Sequence, residues 1–367
     1  MKKHKLAGPI CALLLTALGA SPAVAQTNTA SILFIRAVNP PGPGNSGLRL
    51  GRVQPSGEGV AWLTPFVSGV EFHGGGWSPG GAAVVYVRSA SDGSPSQLHV
   101  VNRQGGNERQ ITTGPGGNGK ASWGPNGIIA FVNANNELDE ITSRDCLGTV
   151  RPDGTQQHIV FCPPHPPGTE NSRYIVLSQP QWTPNGNSVL VEAGSSEGSL
   201  EPRMWFSDVY RVNVTTGTAV RVGRQVFSGD LFVRYTLAIA PDGTHGVYGG
   251  NPMHTIDFAT NTLRPISTSG DDPVFSKDGR KVAFDKENSH GLRRVYVMNA
   301  DGSNIRPALA NPERGSEYVP DDWSFDGTRV LVNQFLGSTG VQIIDLRTNT
   351  ARPVINDTVE DRAWFHR

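Results

Sequence analysis

The stretch DDWSFDGTRVLV, residues 321–332, holds one complete step of a repeated chain design. A short run ends at Trp323, a Phe-Asp-Gly turn follows, and apolar residues then resume. Five other segments keep the same order: GWSPGGAAVVYV around Trp77, SWGPNGIIAFV around Trp123, QWTPNGNSVLV around Trp182, AIAPDGTHGVY around Ile239 and VFSKDGRKVAF around Phe275. The positions before the turns lie 46, 59, 57, 36 and 48 residues apart. That spacing suits four-stranded propeller blades with insertions.

Each copy has a physical logic. The run before the turn is a first strand, and Pro-Asp-Gly or Pro-Asn-Gly closes a tight turn whose Gly takes a positive φ. A β-rich second strand follows, then a third (QLHVVNRQG, VYRVNVTTG, RRVYVMNADG, VQIIDLRTN) and a short fourth (ERQITT, AVRVG, IRPALA, ARPVI). At the N-terminal end SILFIRAV, GLRLGRVQPSG and GVAWLTPF match strands two to four with no first strand before them. At the C-terminal end VEDRAWFHR matches a first strand, with Trp364 in the aromatic position. The reading is an all-β chain, a β-propeller of four-stranded antiparallel blades, its ring closed by the C-terminal strand joining the N-terminal blade. Closure of that kind removes exposed sheet edges. The count is seven blades, or six if the Ile239 unit is not a blade of its own.

Bulk properties agree. The 367 residues include 44 Gly and 27 Pro, which favour turns over long helices. The balance of 32 basic and 32 acidic residues gives no electrostatic ground for a nucleic-acid or anionic-membrane partner. Lys2, Lys3 and Lys5, an apolar stretch and Ala23-Val24-Ala25 before Gln26 spell a secretory signal peptide over residues 1–25, leaving a single propeller domain over 26–367. A periplasmic or secreted monomer is expected, with no integral membrane segment after cleavage. Cys11 sits inside the apolar stretch, so lipid attachment at the cleavage point is not expected.

Cys146 and Cys162 flank LGTVRPDGTQQHIVF, a hairpin turning at Asp153-Gly154. With a loop of Asp153-Gly154-Thr155, the register sets Cys146 opposite Cys162, close enough for a disulfide in an oxidising compartment. Two unpaired buried thiols are the alternative. There is no C-x-x-C spacing to suggest zinc.

The quoted segments, with VYVMNADGSNIRPAL at residues 295–309, resemble the repeats of the TolB-type, WD40-like β-propellers. The resemblance extends from about Ser31 to Trp364, and the Trp is replaced in two repeats. It implies a propeller, and by family analogy an envelope-associated protein. The α/β domain that precedes the TolB propeller has no counterpart between Ala25 and the first strand. Peptidases with related propellers add an α/β-hydrolase domain, and no G-x-S-x-G elbow is present here.

Motifs for chemistry are sparse. GPGGNGKA, residues 114–121, imitates a phosphate loop, but Ala121 stands where a magnesium-binding hydroxyl is required. No histidine pair has the spacing of a metal site. His73, in EFHGGGW just before a first strand, is a candidate for the channel mouth. Three acidic pairs precede the aromatic position: Asp271 and Asp272, Asp321 and Asp322, Glu360 and Asp361. Their units are consecutive around the inferred ring. If inner strands begin at one rim, these carboxylates gather on one side of it, with His73 and Lys120 opposite, and such a set suits Ca²⁺ or a basic peptide. Each Asp also has a plain structural reading, as acceptor of backbone N–H groups beside its own strand.

The function expected from these features is non-catalytic binding of a protein or cell-envelope component, with no cofactor unless Ca²⁺ sits at the channel mouth. The alternative is a propeller enzyme, a polysaccharide lyase or lactonase-like hydrolase, with its site at the channel mouth. A third reading is a small-molecule or sugar sensor built on Trp62, Trp205 and Phe206.

Overall fold

Six short turns set the architecture. The carbonyls of Ser78, Gly124, Thr183, Ala240, Ser276 and Ser324 each accept the N–H three residues on, from Gly81, Gly127, Gly186, Gly243, Gly279 and Gly327, at 2.8–3.0 Å. All six of these glycines have φ between 63° and 80°, a region costly to any residue with a Cβ. The acid or amide in the turn is explained as well. Asp242, Asp278 and Asp326 accept the backbone N–H of Thr244, Arg280 and Thr328, and Asn126 and Asn185 accept those of Ile128 and Asn187. The repeated Asp-Gly or Asn-Gly is therefore turn chemistry.

The computed structural model describes residues 30–38, 47–67, 70–90, 92–135, 144–164, 175–196, 204–228, 236–336, 339–356 and 361–366. All regular elements among them are strands. These begin with β1 (Ser31–Val38), β2 (Gly47–Val53), β3 (Ala61–Trp62), β4 (Val70–Trp77), β5 (Ala83–Ala90), β6 (Gln97–Asn102) and β7 (Arg109–Gln110). Next come β8 (Gly117–Trp123), β9 (Ile129–Asn135), β10 (Arg144–Val150), β11 (His158–Phe161), β12 (Ile175–Leu177), β13 (Gln181–Trp182), β14 (Ser188–Ser196), β15 (Met204–Asn213) and β16 (Ala219–Ser228). After them lie β17 (Leu237–Ile239), β18 (His245–Tyr248), β19 (His254–Asp257), β20 (Thr262–Pro265), β21 (Asp271–Phe275), β22 (Lys281–Glu287), β23 (Arg293–Asn299) and β24 (Arg306–Pro307). The chain ends with β25 (Tyr318–Trp323), β26 (Arg329–Gln334), β27 (Gly340–Asp345), β28 (Thr350–Ile355) and β29 (Asp361–His366).

Four sheets follow chain order: β4 to β7, β17 to β20, β21 to β24 and β25 to β28. A fifth has the order β29-β1-β2-β3, so the last strand lies antiparallel to the first, with Trp364 opposite Leu33. The sixth has nine strands: β8 to β11 form one antiparallel set, β12 to β16 another, and a single parallel bridge between Arg144 and Ile175 joins them. Four-stranded antiparallel sheets in succession are the build of a propeller.

Among the described residues the core forms seven apolar clusters, six between sheets and one between the two antiparallel sets of the nine-stranded sheet. Ile32, Phe34 and Val53 meet Leu331, Ile343 and Val354; Leu33 and Leu50 meet Phe72 and Tyr86; Val85 and Leu98 meet Phe131 and Val150. Leu147 then packs with Val191 and Tyr210, Leu190 with Ile239 and Tyr248, Val247 with Phe275 and Phe284, and Ala283 with Trp323 and Val330. The repeated Trp links neighbours by its ring nitrogen too. Trp182 Nε1 donates to the Ser122 carbonyl at 3.0 Å and Trp323 Nε1 to the Val274 carbonyl at 2.9 Å. In both cases the acceptor is the residue just before the preceding unit's aromatic.

The β10–β11 hairpin pairs Leu147 with Phe161, and Cys146 and Cys162 are bonded as a disulfide. Next to the turn the ladder departs by one residue from the register expected of a three-residue loop, with Thr149 opposite His158, and a shift between Leu147 and Gly148 restores the pairing beside the disulfide. The expected signal peptide and Glu360 lie outside the described residues, as do the side chains of Asp361 and Trp364. Among the described residues no helix is long and apolar enough to cross a membrane.

Candidate functional site

Three of the first strands share an irregularity that the sequence does not advertise. Three residues before the aromatic position, Gly74 in β4, Lys120 in β8 and Asp272 in β21 have φ of 45°, 47° and 46°. The strand register shifts at each of these places. A left-handed backbone suits Gly but costs a residue with a side chain about 1–2 kcal/mol. At Gly74 a Cβ would meet nothing within 4 Å, so that position borders open space. Three first strands thus carry one kind of bulge at the same place before the aromatic position, filled by Gly, Lys and Asp.

A second tier stands on the neighbouring strands. The residue paired with the aromatic position is Val189 in β14, Val282 in β22, Val330 in β26 and Leu33 in β1. Three places further on stand Glu192, Asp285, Asn333 and Arg36. None of these was singled out from the sequence. The signal available was an acid ending the apolar run after the turn, in VLVE and VAFD, where the equivalent run of the next unit reads VLVN.

Around β21 the two tiers meet. Asp271 lies directly opposite Asp285 in the strand ladder. Arg293, from β23, donates from Nε to Asp285 Oδ2 at 2.6 Å and from Nη2 to Asp272 Oδ2 at 2.8 Å. Asp285 is 2% exposed, and burial pushes its carboxyl up to about 7, helped by Asp272 and Asp271 and opposed by Arg293. The Asp271 carboxyl is also raised, by partial burial and then by the Asp272 charge.

Around β8 and β14 the balance of charge differs. Lys120 Nζ donates to the Leu177 carbonyl at 2.5 Å, and Leu177 N–H donates to the buried Asp145 at 2.9 Å. Burial lowers the Lys120 ammonium, while Asp145 and Glu192 act the other way. Ser207 Oγ donates to Glu192 Oε1 at 2.5 Å and lies 2.8 Å from the Tyr248 hydroxyl. Burial pushes Glu192 up to about 7 against Ser207 and Lys120, and pushes Tyr248 above its ordinary value.

The sequence-derived candidates divide accordingly. Asp271 and Asp272 join Asp285 and Arg293. His73 lies four places before Trp77, as Asp271 does before Phe275, and its Nε2 is 3.2 Å from the Glu71 carboxylate. Asp321 and Asp322 occupy other positions, two and one before Trp323, and are 7% and 5% exposed. Asp322 accepts the Trp323 N–H at 2.8 Å and the Lys277 ammonium at 2.6 Å, so it holds its own strand. Among the described residues no group of three or more His, Cys, Asp or Glu side chains is arranged to hold a metal ion.

The phosphate-loop imitation runs into β8, a strand and not a helix. Trp62 packs edge-on to Phe34 at 5.7 Å and lies under the Arg49 guanidinium, which gives it a packing role. Phe206 has Arg224 over its ring, and the Trp205 side chain lies outside the described residues.

No family model and no curated protein matches the chain. Solved structures do. An oligogalacturonate lyase in complex with manganese is 13% identical, covering 88% of this chain and 84% of the lyase, with a TM-score of 0.60. The β-propeller domain of the Trilobed protease from Pyrococcus furiosus is 11% identical, covering 89% of this chain and 94% of that domain, with a TM-score of 0.60. TolB from Acinetobacter baumannii is 13% identical, covering 91% of this chain and 82% of TolB, with a TM-score of 0.46. The first two likenesses establish the β-propeller fold, the architecture that the TolB-type repeats implied; at these identities they do not extend to activity.

Proposed function

We propose that the chain is an exported, non-catalytic β-propeller of seven blades. In this reading its inner-strand rim binds a protein or a component of the cell envelope. The observation that carries it is the common bulge at Gly74, Lys120 and Asp272. A strained backbone kept at the same place in three first strands, with opposite charges on two of them, suits docking of a polar partner. The seven apolar clusters, which lead from sheet to sheet and return from β25–β28 to β1, support seven blades and a closed ring. His73, Asp271 and Asp272 belong to this rim, Asp361 by its place at the start of β29, and Asp321 and Asp322 brace it. Export to the periplasm or beyond rests on the leader at residues 1–25.

The test is capture from a native envelope extract by the purified chain and by a variant carrying Lys120→Glu with Asp271→Lys. A partner held by the wild type and lost by an equally stable variant supports the reading; identical capture by both overturns it. Titration of the same chain with Ca²⁺ separates an ion at the acids from a macromolecular partner. An exported form starting at Gln26 would support the leader.

One observation favours a second reading, an enzyme working at the same rim. Glu192, raised to about 7 beside Lys120, stands in the range where a carboxyl exchanges protons at neutral pH. A polysaccharide lyase or lactonase-like hydrolase would use it as acid or base. Turnover of acidic oligosaccharides or lactones that is abolished in Glu192→Gln would move the assignment there.

A further inference from the structure

A polar groove lies at the seam between the β21–β24 and β25–β28 sheets, lined from the segment after β24, from β27, β28 and the turn between them, and from Tyr318 at the start of β25. Its origin is a mismatch in strand length. β24 spans two residues, Arg306–Pro307, whereas β28 spans six, Thr350–Ile355. After β24 the chain runs through the Asn-, Pro- and Gly-bearing residues 308–317 before β25 begins. The seam is filled by apolar side chains nearer the centre, with Leu309 and Ala351 at the cluster's margin. Beyond them opens a groove of about 1010 Å³.

Amides and hydroxyls dominate its lining: Asn311, Thr339, Gln342, Asn349, Thr350 and Asn356. Two of the amides are held in fixed orientations. Gln334, 1% exposed, donates from Nε2 to Glu313 Oε2 at 2.8 Å and to Ser316 Oγ at 2.7 Å, and its carbonyl accepts from Gln342 Nε2. That bond uses the NH₂ end of Gln342 and directs its carbonyl oxygen to act as an acceptor. Asn349, at φ 58°, accepts the Ala310 N–H through Oδ1 at 2.6 Å, so its NH₂ is the donating end.

We propose that this groove binds a neutral, linear oligosaccharide. No Lys or Arg lines it, so an anionic ligand would meet no counter-charge. Glu313 is its one carboxyl and already takes a hydrogen bond from Gln334, so a cation gains little. Leu309, Ala351, Pro353 and the buried ring of Tyr318, four of eleven lining residues, do not make a hydrophobic cleft. What remains is a neutral ligand rich in groups that both donate and accept, which describes sugar hydroxyls facing amides of fixed orientation. The volume lies at the upper end of the ~300–1,000 Å³ range of small-ligand sites, which suits several linked rings better than one. An extended peptide would add to the β28 edge through backbone bonds, and Pro353, mid-strand, offers no N–H.

The experiment is calorimetric titration of the full chain with maltohexaose and cellohexaose, with a neutral Gly-Ser hexapeptide as the competing ligand. One hexaose is expected to bind, and Thr350→Val and Gln342→Met each to weaken it about threefold to tenfold, the loss of one hydrogen bond. Gln342→Met also disturbs the Gln334 network, so its melting curve is measured alongside. Thr350→Val, isosteric and exposed, gives up only the side-chain bond to Thr348, and its melting curve is measured too. The rim variant Lys120→Glu should bind the hexaose as the wild type does, which separates this site from the rim. Absence of binding by both hexaoses at millimolar concentration, binding unaffected by Thr350→Val and Gln342→Met, or preference for the hexapeptide would each overturn the proposal.

Discussion

The β21–β22 and β25–β26 hairpins carry the same opening dipeptide, Asp-Asp, and use it in opposite ways. In β21 the acids stand four and three places before Phe275, one of them on a left-handed bulge, against a buried third acid, Asp285. In β25 they stand two and one before Trp323, and the places matching Asp271 and Asp285 are held by Val319 and Asn333, which pair with each other. The first arrangement gathers charge around one guanidinium. The second neutralises Asp322 with Lys277 and hydrogen-bonds it to the adjacent Trp323 N–H. A repeated spelling is thus no guide to a repeated place: two residues of offset change an acid of a charge cluster around Arg293 into one that secures a strand.

The largest expected effect comes from Asp285. Its folded-state carboxyl is raised to about 7 by burial, from an ordinary value of 3.8. The folded chain therefore holds this proton more tightly than the unfolded chain does. The resulting stability is complete below about pH 4 and is lost as pH rises to about 7, a change of up to about 4 kcal/mol. Urea titrations at a series of pH values should show this decline, and Asp285→Asn should flatten it in part, Glu192 supplying the rest over a similar window. The reciprocal change Asn333→Asp should steepen it, because it places an acid at the matching position of the next hairpin. A profile indifferent to both substitutions would break the comparison at its core.

Next in size is Asp322→Ala. It removes the acceptor of the Lys277 ammonium and of the Trp323 N–H from a site 5% exposed. A loss of about 2–3 kcal/mol is expected, as a lower urea midpoint at unchanged slope. Asp271→Ala, on the exposed end of β21, should stay within about 0.5 kcal/mol of the wild type. Equal costs at the two sites would mean that both pairs are structural.

This contrast also marks what the chain revealed before its fold was known. The turns were legible because Pro-Asp-Gly and Pro-Asn-Gly act locally: Gly327 needs its positive φ and Asp326 takes the Thr328 N–H whatever lies elsewhere. The hairpin of Cys146 and Cys162 was legible for the same reason. The grouping of Asp271 and Asp272 with Asp285 and Arg293 was not. It depends on a register shift between Asp271 and Val274 that no residue type announces, since Gly, Lys and Asp all occupy the bulge. Glu192 escaped notice likewise, because its neighbour Lys120 comes from the other antiparallel set of its sheet and Tyr248 from the β17–β20 sheet.

The smallest effect on stability is the most informative about purpose. Asp272 holds φ 46°, donates its backbone N–H to Thr236 Oγ1 at 3.1 Å and accepts from Arg293 at 2.8 Å. Asp272→Gly removes the left-handed strain of about 1–2 kcal/mol and adds unfolded-chain entropy of up to about 1 kcal/mol. It also loses a mostly buried, charge-assisted bond to Arg293, worth about 1–2 kcal/mol. The terms nearly cancel, so thermal unfolding of the Gly variant should match the wild type within about 1 kcal/mol. Gly74 shows that the same bulge stands in β4 without a side chain. If the Gly variant matches the wild type, stability gives no reason for Asp at this place, and its charge accounts for it. An unchanged melting curve with reduced capture of the envelope partner assigns Asp272 to recognition. A clear loss of stability would return it to the frame, beside Asp322.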